Sequence, residues 1–226
     1  MQDQRAELEW RDGAVPQSIP VSLRFDDPYF SLDNGLDETR HVFLDGNALP
    51  ARFCDGFHIA ELGFGTGLNF LTAWAAWRAA GVPGTLQFTS FEAYPMARDD
   101  MGTALAAFPQ LEALAAELLD GLVLDQVIQL EGARLHVITG DARVRLPGWD
   151  GRADAWFLDG FSPAKNPEMW GADLMAEVGR HTVPAGTAAT YTAAGFVRRG
   201  LEAAGFDVAR VPGFGRKRHM TRAVLR

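Results

Sequence analysis

Short apolar segments alternate with helical patterns along most of this chain, and this alternation is the feature that most constrains its fold. The predicted strands span residues 57–63, 86–91, 135–139, 155–158 and 188–192. The predicted helices lie at residues 68–80, at 101–122 with a break at 108–109, near 173–181 and at 196–204. Because strands alternate with helices, the sequence predicts a doubly wound α/β class with a mostly parallel, twisted sheet.

The two ends of the chain depart from this alternation. Residues 206–211 and 220–225 are predicted to pair as a C-terminal antiparallel hairpin. Residues 1–50 fit the pattern poorly and are interpreted as an N-terminal extension, with a short hairpin or two, that packs on the catalytic domain and covers its site. Residues 51–226 are assigned to that domain, since 226 residues suit one well-buried domain.

Composition limits the class of protein. No apolar run approaches the ~20 residues of a membrane span, and the polar N-terminus argues against a secretory signal. The single cysteine, Cys54, excludes an internal disulfide and a cysteine-based metal cluster. These features predict a cytoplasmic protein that binds neither membrane nor metal.

Charge is distributed unevenly along the chain. The net charge is −8, yet residues 198–226 carry eight Lys or Arg against two Asp or Glu, which is +6 for this segment and −14 for the remainder. Such asymmetry is typical of a localised anion-binding surface. A solvated hairpin whose charges only aid solubility explains it equally well.

Four acids stand at or just after predicted strand ends: Glu61, Glu92, Asp141 and Asp159. Ligands of open α/β sheets bind at the carboxyl ends of the strands. Each acid alone is most simply an exposed cap, but the ordered set predicts a polar ligand site at this edge.

The turn after the first of these strands carries three alternating glycines, Gly63, Gly65 and Gly67. Glycine permits positive φ and close approach of a ligand to the backbone. The spacing is G-x-G-x-G, which differs from the dinucleotide pattern G-x-G-x-x-G. Glu61 precedes the glycines and would repel a phosphate, whereas it would favour a cationic amino group.

Residues at two further strand ends indicate the remaining parts of the predicted ligand. Glu92 suits a carboxylate that accepts from both hydroxyls of a ribose, and Asp141 with Ala142 suits an adenine amino group. Amino acid, ribose and adenine without a pyrophosphate together indicate S-adenosyl-L-methionine. NAD is the main competing cofactor.

The fourth strand leads into an unusual loop, residues 159–170, which we call the acceptor loop. It holds an acid, two prolines, an amide, a lysine and two large aromatics, a combination that suits a flat, amine-bearing substrate better than a packed core. Its candidate site residues are Asp159, Phe161, Pro163, Lys165, Asn166 and Trp170.

The acceptor loop, DGFSPAKNPEMW, resembles the signature of the tRNA 5-methylaminomethyl-2-thiouridine methyltransferases of the MnmC/MnmD family. Further blocks agree, at residues 29–31 through 38–44, at 61–71, and at 194–201 with 213–218. The resemblance spans nearly the whole chain, although the glycine turn alone would be weak support. It implies a Rossmann-like enzyme that uses S-adenosyl-L-methionine to methylate the 5-aminomethyl group of a 2-thiouridine at the tRNA wobble position.

The bifunctional members of that family also carry a FAD-dependent oxidase half, which does not follow Arg226 here. The expectation is therefore a stand-alone enzyme or an excised domain, acting on aminomethyl groups made elsewhere, by a separate oxidase.

The chemistry assigns roles to the candidate residues. Asp159 is expected to accept a hydrogen bond from the amine and to orient its lone pair or take its proton; capping of the loop is the alternative. Phe161 and Trp170 are expected to stack on the unpaired pyrimidine, or else to pack in the core. Lys165 and Asn166 are candidates for phosphate or base-edge contacts. The residues expected to bind the tRNA backbone are Arg198, Arg199, Arg216, Lys217 and Arg218.

Two other functions remain open at this point. One is a methyltransferase that acts on a free small-molecule amine. The other is a tRNA-binding module with a relict cofactor pocket, which the intact acids argue against.

Overall fold

The computed structural model describes residues 5–12, 18–31 and 34–226. A small antiparallel sheet comes first, with strands β1 (Leu8–Asp12), β2 (Ser18–Ser22) and β3 (Asp27–Pro28) in that order. Helix α1 (Gly35–Thr39) follows, and the chain continues through a π-helical turn at Arg40–Leu44 and a 3-10 turn at Asp45–Asn47. The helical run 35–47 lies in the segment where the sequence pattern indicated only hairpins.

An eight-stranded sheet forms the centre of the molecule. Its strands are β4 (His58–Leu62), β5 (Leu86–Glu92), β6 (Val127–Leu130), β7 (Ala133–Thr139), β8 (Ala153–Leu158), β9 (Thr182–Thr190), β10 (Phe206–Pro212) and β11 (His219–Leu225). They are ordered β10-β11-β9-β8-β4-β5-β7-β6. Neighbours from β9 through β7 pair in parallel, whereas β6 and β11 run antiparallel to their neighbours. The predicted fold class and the C-terminal hairpin are confirmed.

Six more helices connect the strands: α2 (Leu68–Ala80), α3 (Arg98–Leu105), α4 (Glu112–Gly121), α5 (Ala142–Arg145), α6 (Ala172–Arg180) and α7 (Gly195–Ala203). The predicted break in the third helical segment is confirmed, because Pro109 begins a 3-10 turn between α3 and α4. Strand β6 and helix α5 were not predicted, since each is only four residues long.

Strand β9 begins six residues before the predicted strand. Its first half contains Pro184 and Gly186, and Ala185 has a φ of 60°. Proline and glycine are unusual within strands, so the sequence pattern did not predict this half of β9. It nevertheless pairs with β8 through a register shift.

The chain order creates a switch point beside β4. The chain passes from β4 to β5 and β7 on one side, and then returns to place β8 and β9 on the other. Connections therefore leave the carboxyl ends of β4 and β8 in opposite directions and open a crevice, where ligands bind in open α/β sheets.

Two apolar clusters cover the faces of the sheet. Successive residues of β8 serve both, because side chains alternate along a strand: Phe157 belongs to the cluster with α2, and Trp156 to the cluster with α6 and α7. The first cluster also contains Ile19, Leu36 and Phe43 from the N-terminal segment. The Phe43 ring stacks on Phe157 with 5.2 Å between ring centres.

Within the described residues, the helices include none with both the length and the apolar composition needed to cross a bilayer.

The assignment of residues 1–50 as an extension that packs on the rest stays a prediction, which Phe43→Ala tests. We expect this change to lower the free energy of unfolding by ~3–5 kcal/mol, because it removes a buried ring and leaves a cavity against the central sheet. Urea titration followed by circular dichroism measures it. Leu23→Ala is the matched control, since Leu23 is 54% exposed, and a similar decrease in both variants would contradict the assignment.

Candidate active site

A cavity of about 890 Å³ lies at the carboxyl ends of β4, β5 and β8, at the switch point of the sheet. The predicted site residues that line it are Gly63, Gly65, Glu92, Asp141, Ala142, Asp159, Phe161, Lys165, Asn166, Arg216 and Lys217. Among the described residues, the predicted ones that lie outside its wall are Glu61, Gly67, Pro163, Trp170, Arg198, Arg199 and Arg218. The structure thus brings the strand-end acids, the acceptor loop and part of the basic C-terminal segment around one space.

The glycine turn brings β4 and β8 close together. Gly63 has a φ of 91°, and a Cβ atom on it would lie 2.9 Å from the carbonyl oxygen of Asp159. A side chain at this position would therefore strain the backbone and force the two strand ends apart. Gly67 instead begins α2, where a Cβ atom would meet Leu118 and Phe64, so its expected contact with cofactor is replaced by packing.

Glu92 holds the two loops beside it. It is 8% exposed, and its carboxylate accepts from the backbone N–H of Gly65 at 2.8 Å and of Tyr94 at 2.7 Å. Burial raises its pKa. One carboxylate therefore organises the glycine turn and the segment after β5.

Asp141 caps α5 by accepting from the N–H of Arg143 at 2.9 Å. The Arg143 guanidinium also donates to Asp141 at 3.0 Å, which lowers the pKa of that carboxyl, and lies 2.8 Å from Glu168. This chain of charges links α5 to the acceptor loop across one end of the cavity. Ala142 is buried beside it.

Glu61 does not take the expected position against the ligand. Its side chain is fully buried, and its two oxygens accept from Asn69 Nδ2 at 2.9 Å and Ser90 Oγ at 2.7 Å. Burial raises its pKa to about 8. β4 is a central strand covered on both faces, so a residue within it points into the interior, and Asn69 stands between Glu61 and the cavity.

Asp159 is recessed at the end of β8. Its Oδ2 accepts from Asn69 Nδ2 at 2.7 Å, and its Oδ1 accepts from the N–H of Gly160 at 2.9 Å. Burial raises its pKa to about 6, and the negative charge of Glu38 adds to this, while the Asn69 and Gly160 hydrogen bonds and Lys217 oppose it. The carboxylate therefore caps its loop and also faces the cavity.

The two aromatics of the acceptor loop have different surroundings. Phe161 lines the cavity, stacked on Phe25 with ring centres 4.7 Å apart and edge-on to Tyr29 at 5.1 Å. Trp170 is 2% exposed and donates from Nε1 to the Phe161 carbonyl oxygen at 3.0 Å. The expected stacking of Trp170 on substrate is corrected, because the 3-10 turn at its position directs the ring into the core beneath the loop.

The polar residues of the acceptor loop are partly engaged within the protein. Lys165 donates to Asp26 and lies 3.8 Å from Asp27, so it ties the loop to the N-terminal sheet. Asn166 is buried in the cavity wall. Pro163 stays at the loop surface, away from the cavity wall.

Among the cavity residues that sequence reasoning did not single out, Glu38, Asn69 and Tyr191 lie around Asp159. The Tyr191 hydroxyl donates to the Gly160 carbonyl oxygen at 2.6 Å. Lys217 lies 4.1 Å from the Tyr191 ring centre and 2.8 Å from Glu38. Glu38 and Asn69 fall in sequence blocks that carried the family resemblance, which was the signal that could have found them, whereas Tyr191 lies outside those blocks.

The basic residues spread outward from the cavity. Pro212 pairs with His219, so the hairpin tip 213–218 lies at the carboxyl edge of β9, near the start of α7. Arg216 and Lys217 line the cavity, and we call these two the basic rim. Arg199 and Arg218 are exposed beyond the cavity wall, and Arg198 is half-buried, with Nε 3.4 Å from the Ala193 carbonyl oxygen. The expected binding of the tRNA backbone by these three residues stays a prediction, and their positions on the surface around the cavity are compatible with it.

Within residues 5–12, 18–31 and 34–226, no cluster of His, Cys, Asp and Glu has the grouping needed to hold a metal ion.

Comparison with known proteins identifies relatives of this arrangement. A family model described as "S-adenosyl-L-methionine-dependent methyltransferase" matches residues 108–226. The tRNA 5-methylaminomethyl-2-thiouridine biosynthesis bifunctional protein MnmC of Pseudomonas fluorescens is 49% identical in an alignment of 224 residues that covers 94% of this chain and 33% of that protein. The protein of the same name from Stutzerimonas stutzeri is 47% identical in an alignment of 234 residues, gaps included, that covers 98% of this chain and 35% of its own length. The chain thus spans about a third of these curated relatives.

Among solved structures, MNMC2 from Aquifex aeolicus superposes with a TM-score of 0.81 and 25% identity, covering 99% of this chain and 72% of its own. The similarity extends through the N-terminal segment as well as the central sheet.

The ionisation of Asp159 has a consequence for stability. Because its pKa is raised in the folded protein, the folded chain binds more protons than the unfolded chain between about pH 4 and pH 6. The free energy of unfolding therefore falls as pH rises through this window. We expect Asp159→Asn to be more stable than the parent protein by ~1–3 kcal/mol at pH 8, with the difference vanishing near pH 4. Urea titrations at both pH values measure it, and a difference independent of pH would contradict the assignment.

Proposed function

The chain belongs to the family of S-adenosyl-L-methionine-dependent methyltransferases described by the matching model, and from that premise we propose that it N-methylates the 5-aminomethyl group of 5-aminomethyl-2-thiouridine at the tRNA wobble position. The product is 5-methylaminomethyl-2-thiouridine. The observation that carries this proposal is the position of Asp159, recessed in a cavity between the glycine turn and an aromatic wall with a basic rim. The names of the curated relatives supply the substrate class.

The residues at the glycine end of the cavity fit the cofactor. S-adenosyl-L-methionine, when bound, supplies an activated methyl group on a sulfonium. Gly63 and Gly65 line the cavity with backbone that carries no side chain, Glu92 at the end of β5 suits the ribose hydroxyls, and Asp141 with Ala142 suits an adenine edge. The carboxylates at this end disfavour a pyrophosphate, which argues against NAD. The volume of the cavity is in the range of sites for ligands of this size.

Asp159 handles the amine. The acceptor nitrogen must lose a proton before it can attack, and a carboxylate that accepts an N–H hydrogen bond orients the remaining lone pair. Burial brings the pKa of Asp159 to about 6. The carboxyl group is therefore largely ionised at neutral pH, but its pKa lies closer to neutral pH than that of an ordinary aspartate. We assign to Asp159 the binding of the amine and its deprotonation.

The aromatic residues beside Asp159 are assigned to binding of the wobble base. Phe161 and Tyr191 line this end, and unpaired RNA bases are commonly stacked on aromatic faces. A wobble base already lies in a loop, which makes its extrusion inexpensive. The basic rim, with Arg199 and Arg218 beyond it, then binds the phosphates of the anticodon arm.

The acceptor must be made by another reaction. We propose that a FAD-dependent oxidase activity releases the 5-aminomethyl group from a carboxymethylaminomethyl precursor, because methyl transfer to this amine requires the free aminomethyl group.

The defining experiment is methyl transfer to tRNA from a strain that lacks the modification, followed by mass spectrometry of the nucleosides. The expected product is a methylaminomethyl-2-thiouridine. Transfer only to small amines would favour the alternative small-molecule enzyme, and cofactor binding without transfer would favour a tRNA-binding module.

Asp159→Ala should lower kcat by a factor of about 10² or more, the usual contribution of a proton-handling group, and should change the Kd for S-adenosyl-L-methionine by less than about threefold. Single-turnover kinetics and calorimetry measure the two effects. The matched control is Asp120→Ala, at an exposed position on α4. A single-turnover rate near that of the parent protein would rule out the role of Asp159.

The double variant Arg199→Ala/Arg218→Ala should weaken tRNA binding and flatten the dependence of log Kd on log salt by about 0.7 to 0.9 for each phosphate that the protein no longer neutralises. Filter binding at several salt concentrations measures the slope. Arg134→Ala/Arg152→Ala removes the same charge near the amino ends of β7 and β8, at the opposite edge of the sheet. Equal slopes for the two double variants would contradict the assigned surface.

A further inference from the structure

A buried polar network links three elements behind Asp159. Asn69, in the first turn of α2, is 6% exposed and touches both the cavity and the interior. Its Nδ2 donates to Asp159 Oδ2 at 2.7 Å and to Glu61 Oε1 at 2.9 Å. The two hydrogens of a single amide therefore serve two carboxyl groups, one catalytic and one buried.

The orientation of this amide is set from its other side. Thr39, which is 5% exposed at the end of α1, donates from its hydroxyl to Asn69 Oδ1 at 3.1 Å. A rotated amide would turn its oxygen toward two carboxyl groups and its NH₂ group toward Thr39, which removes the hydrogen bonds to both carboxyl groups. Thr39 thus selects the rotamer that donates to Asp159.

Glu61 anchors the network from within the sheet. One of its oxygens is held by Asn69, and the other bonds Ser90 Oγ at 2.7 Å. Two ionised carboxylates on one nitrogen would repel each other in this buried setting. The more deeply buried Glu61 keeps its proton at neutral pH, with Ser90 as hydrogen-bond partner, and the charge resides on Asp159.

We propose that Asn69 is a positioning residue for Asp159: its amide, oriented by Thr39 and anchored on Glu61, holds the Asp159 carboxylate ionised and aimed at the amine. The Gly160 N–H holds the other oxygen at 2.9 Å, so rotation of the carboxylate is restrained from both sides. The inference rests on the proposed function for its catalytic consequence, while the network itself is independent of the substrate.

Other charged groups also face Asp159. Glu38 on α1 disfavours its ionised form and Lys217 of the basic rim favours it. Tyr191 bonds Gly160 next to it. None of these three donates a hydrogen bond to the Asp159 carboxylate within the described residues, whereas Asn69 does. Removal of Asn69 therefore withdraws the side-chain donor that most directly stabilises the charge.

The test is Asn69→Ala, with the titration of Asp159 followed by NMR of ¹³C-labelled carboxyl groups in the protein alone. We expect the midpoint of Asp159 to rise by about one pH unit, because a donor to the ionised form is removed. In methyl transfer, the acid limb of the kcat/KM profile should move by the same amount and kcat should fall at least tenfold, while the Kd for S-adenosyl-L-methionine changes less than about threefold.

The Thr39 variants and a control variant are compared with Asn69→Ala. Thr39→Val removes the orienting hydroxyl without changing the shape of the side chain, and should raise the midpoint by less than Asn69→Ala does, whereas Thr39→Ser should restore it. If Asn69→Ala fails to fold, the Thr39 pair carries the test. Thr72→Val is the matched control for Thr39→Val, because Thr72 is a buried threonine of α2 whose hydroxyl donates to the Leu68 carbonyl oxygen at 2.7 Å and which lies outside the cavity wall.

The outcomes separate this inference from the proposed function. An unchanged Asp159 midpoint in Asn69→Ala and Thr39→Val overturns the inference, whether or not tRNA is methylated. A raised midpoint in a protein that does not methylate hypomodified tRNA supports the network and overturns the proposed substrate.

Discussion

The close approach of β4 and β8 at their carboxyl ends is the constraint on which the rest of the site depends. These neighbouring parallel strands belong to opposite windings of the sheet, so the chain leaves them in opposite directions and the crevice opens between them. The backbone at residue 63 lies against the Asp159 carbonyl so closely that only glycine is accommodated. This packing brings the glycine turn against Asp159, the two features to which the proposed function assigns the cofactor and the acceptor amine.

The N-terminal segment closes this crevice from above. Phe25 stacks on Phe161, and the Arg24 guanidinium lies 4.7 Å from the Tyr94 ring centre, so adjacent residues contact the acceptor loop and the segment after β5. Lys165 adds an ion pair to Asp26 at 3.2 Å. An exposed ion pair of this kind contributes little stability, and the aromatic contacts carry most of the attachment. The segment thereby forms part of the cavity wall, to which it contributes Phe25 and Tyr29.

The sequence predicted the sheet and most strand ends because apolar periodicity and glycine turns are local properties. It also indicated that Glu92, Asp141 and Asp159 share an edge, since parallel strands end together. It could not distinguish a strand-end acid that faces the cavity from one beneath it, so Glu61 was expected at the ligand. Trp170 was misassigned for a similar reason, because a short 3-10 turn rotated its ring inward. The roles of Glu38, Asn69 and Tyr191 depend on residues distant in the chain, which no local pattern contains.

The buried carboxyl groups explain why the site has so many internal hydrogen bonds. Burial raises the pKa of Glu61, Glu92 and Asp159, so each ionised group costs folding free energy. Donors reduce this cost without removing it: backbone N–H groups serve Glu92, the Asn69 amide and Ser90 serve Glu61, and the Asn69 amide and the Gly160 N–H serve Asp159. An alanine substitution removes a side-chain amide but leaves a backbone N–H donor in place. Under the proposed function, the ionisation of Asp159 is therefore the property of this site that depends most on the identity of a single side chain, Asn69, so the charge assigned to the amine is set from the interior of the sheet as well as from the cavity.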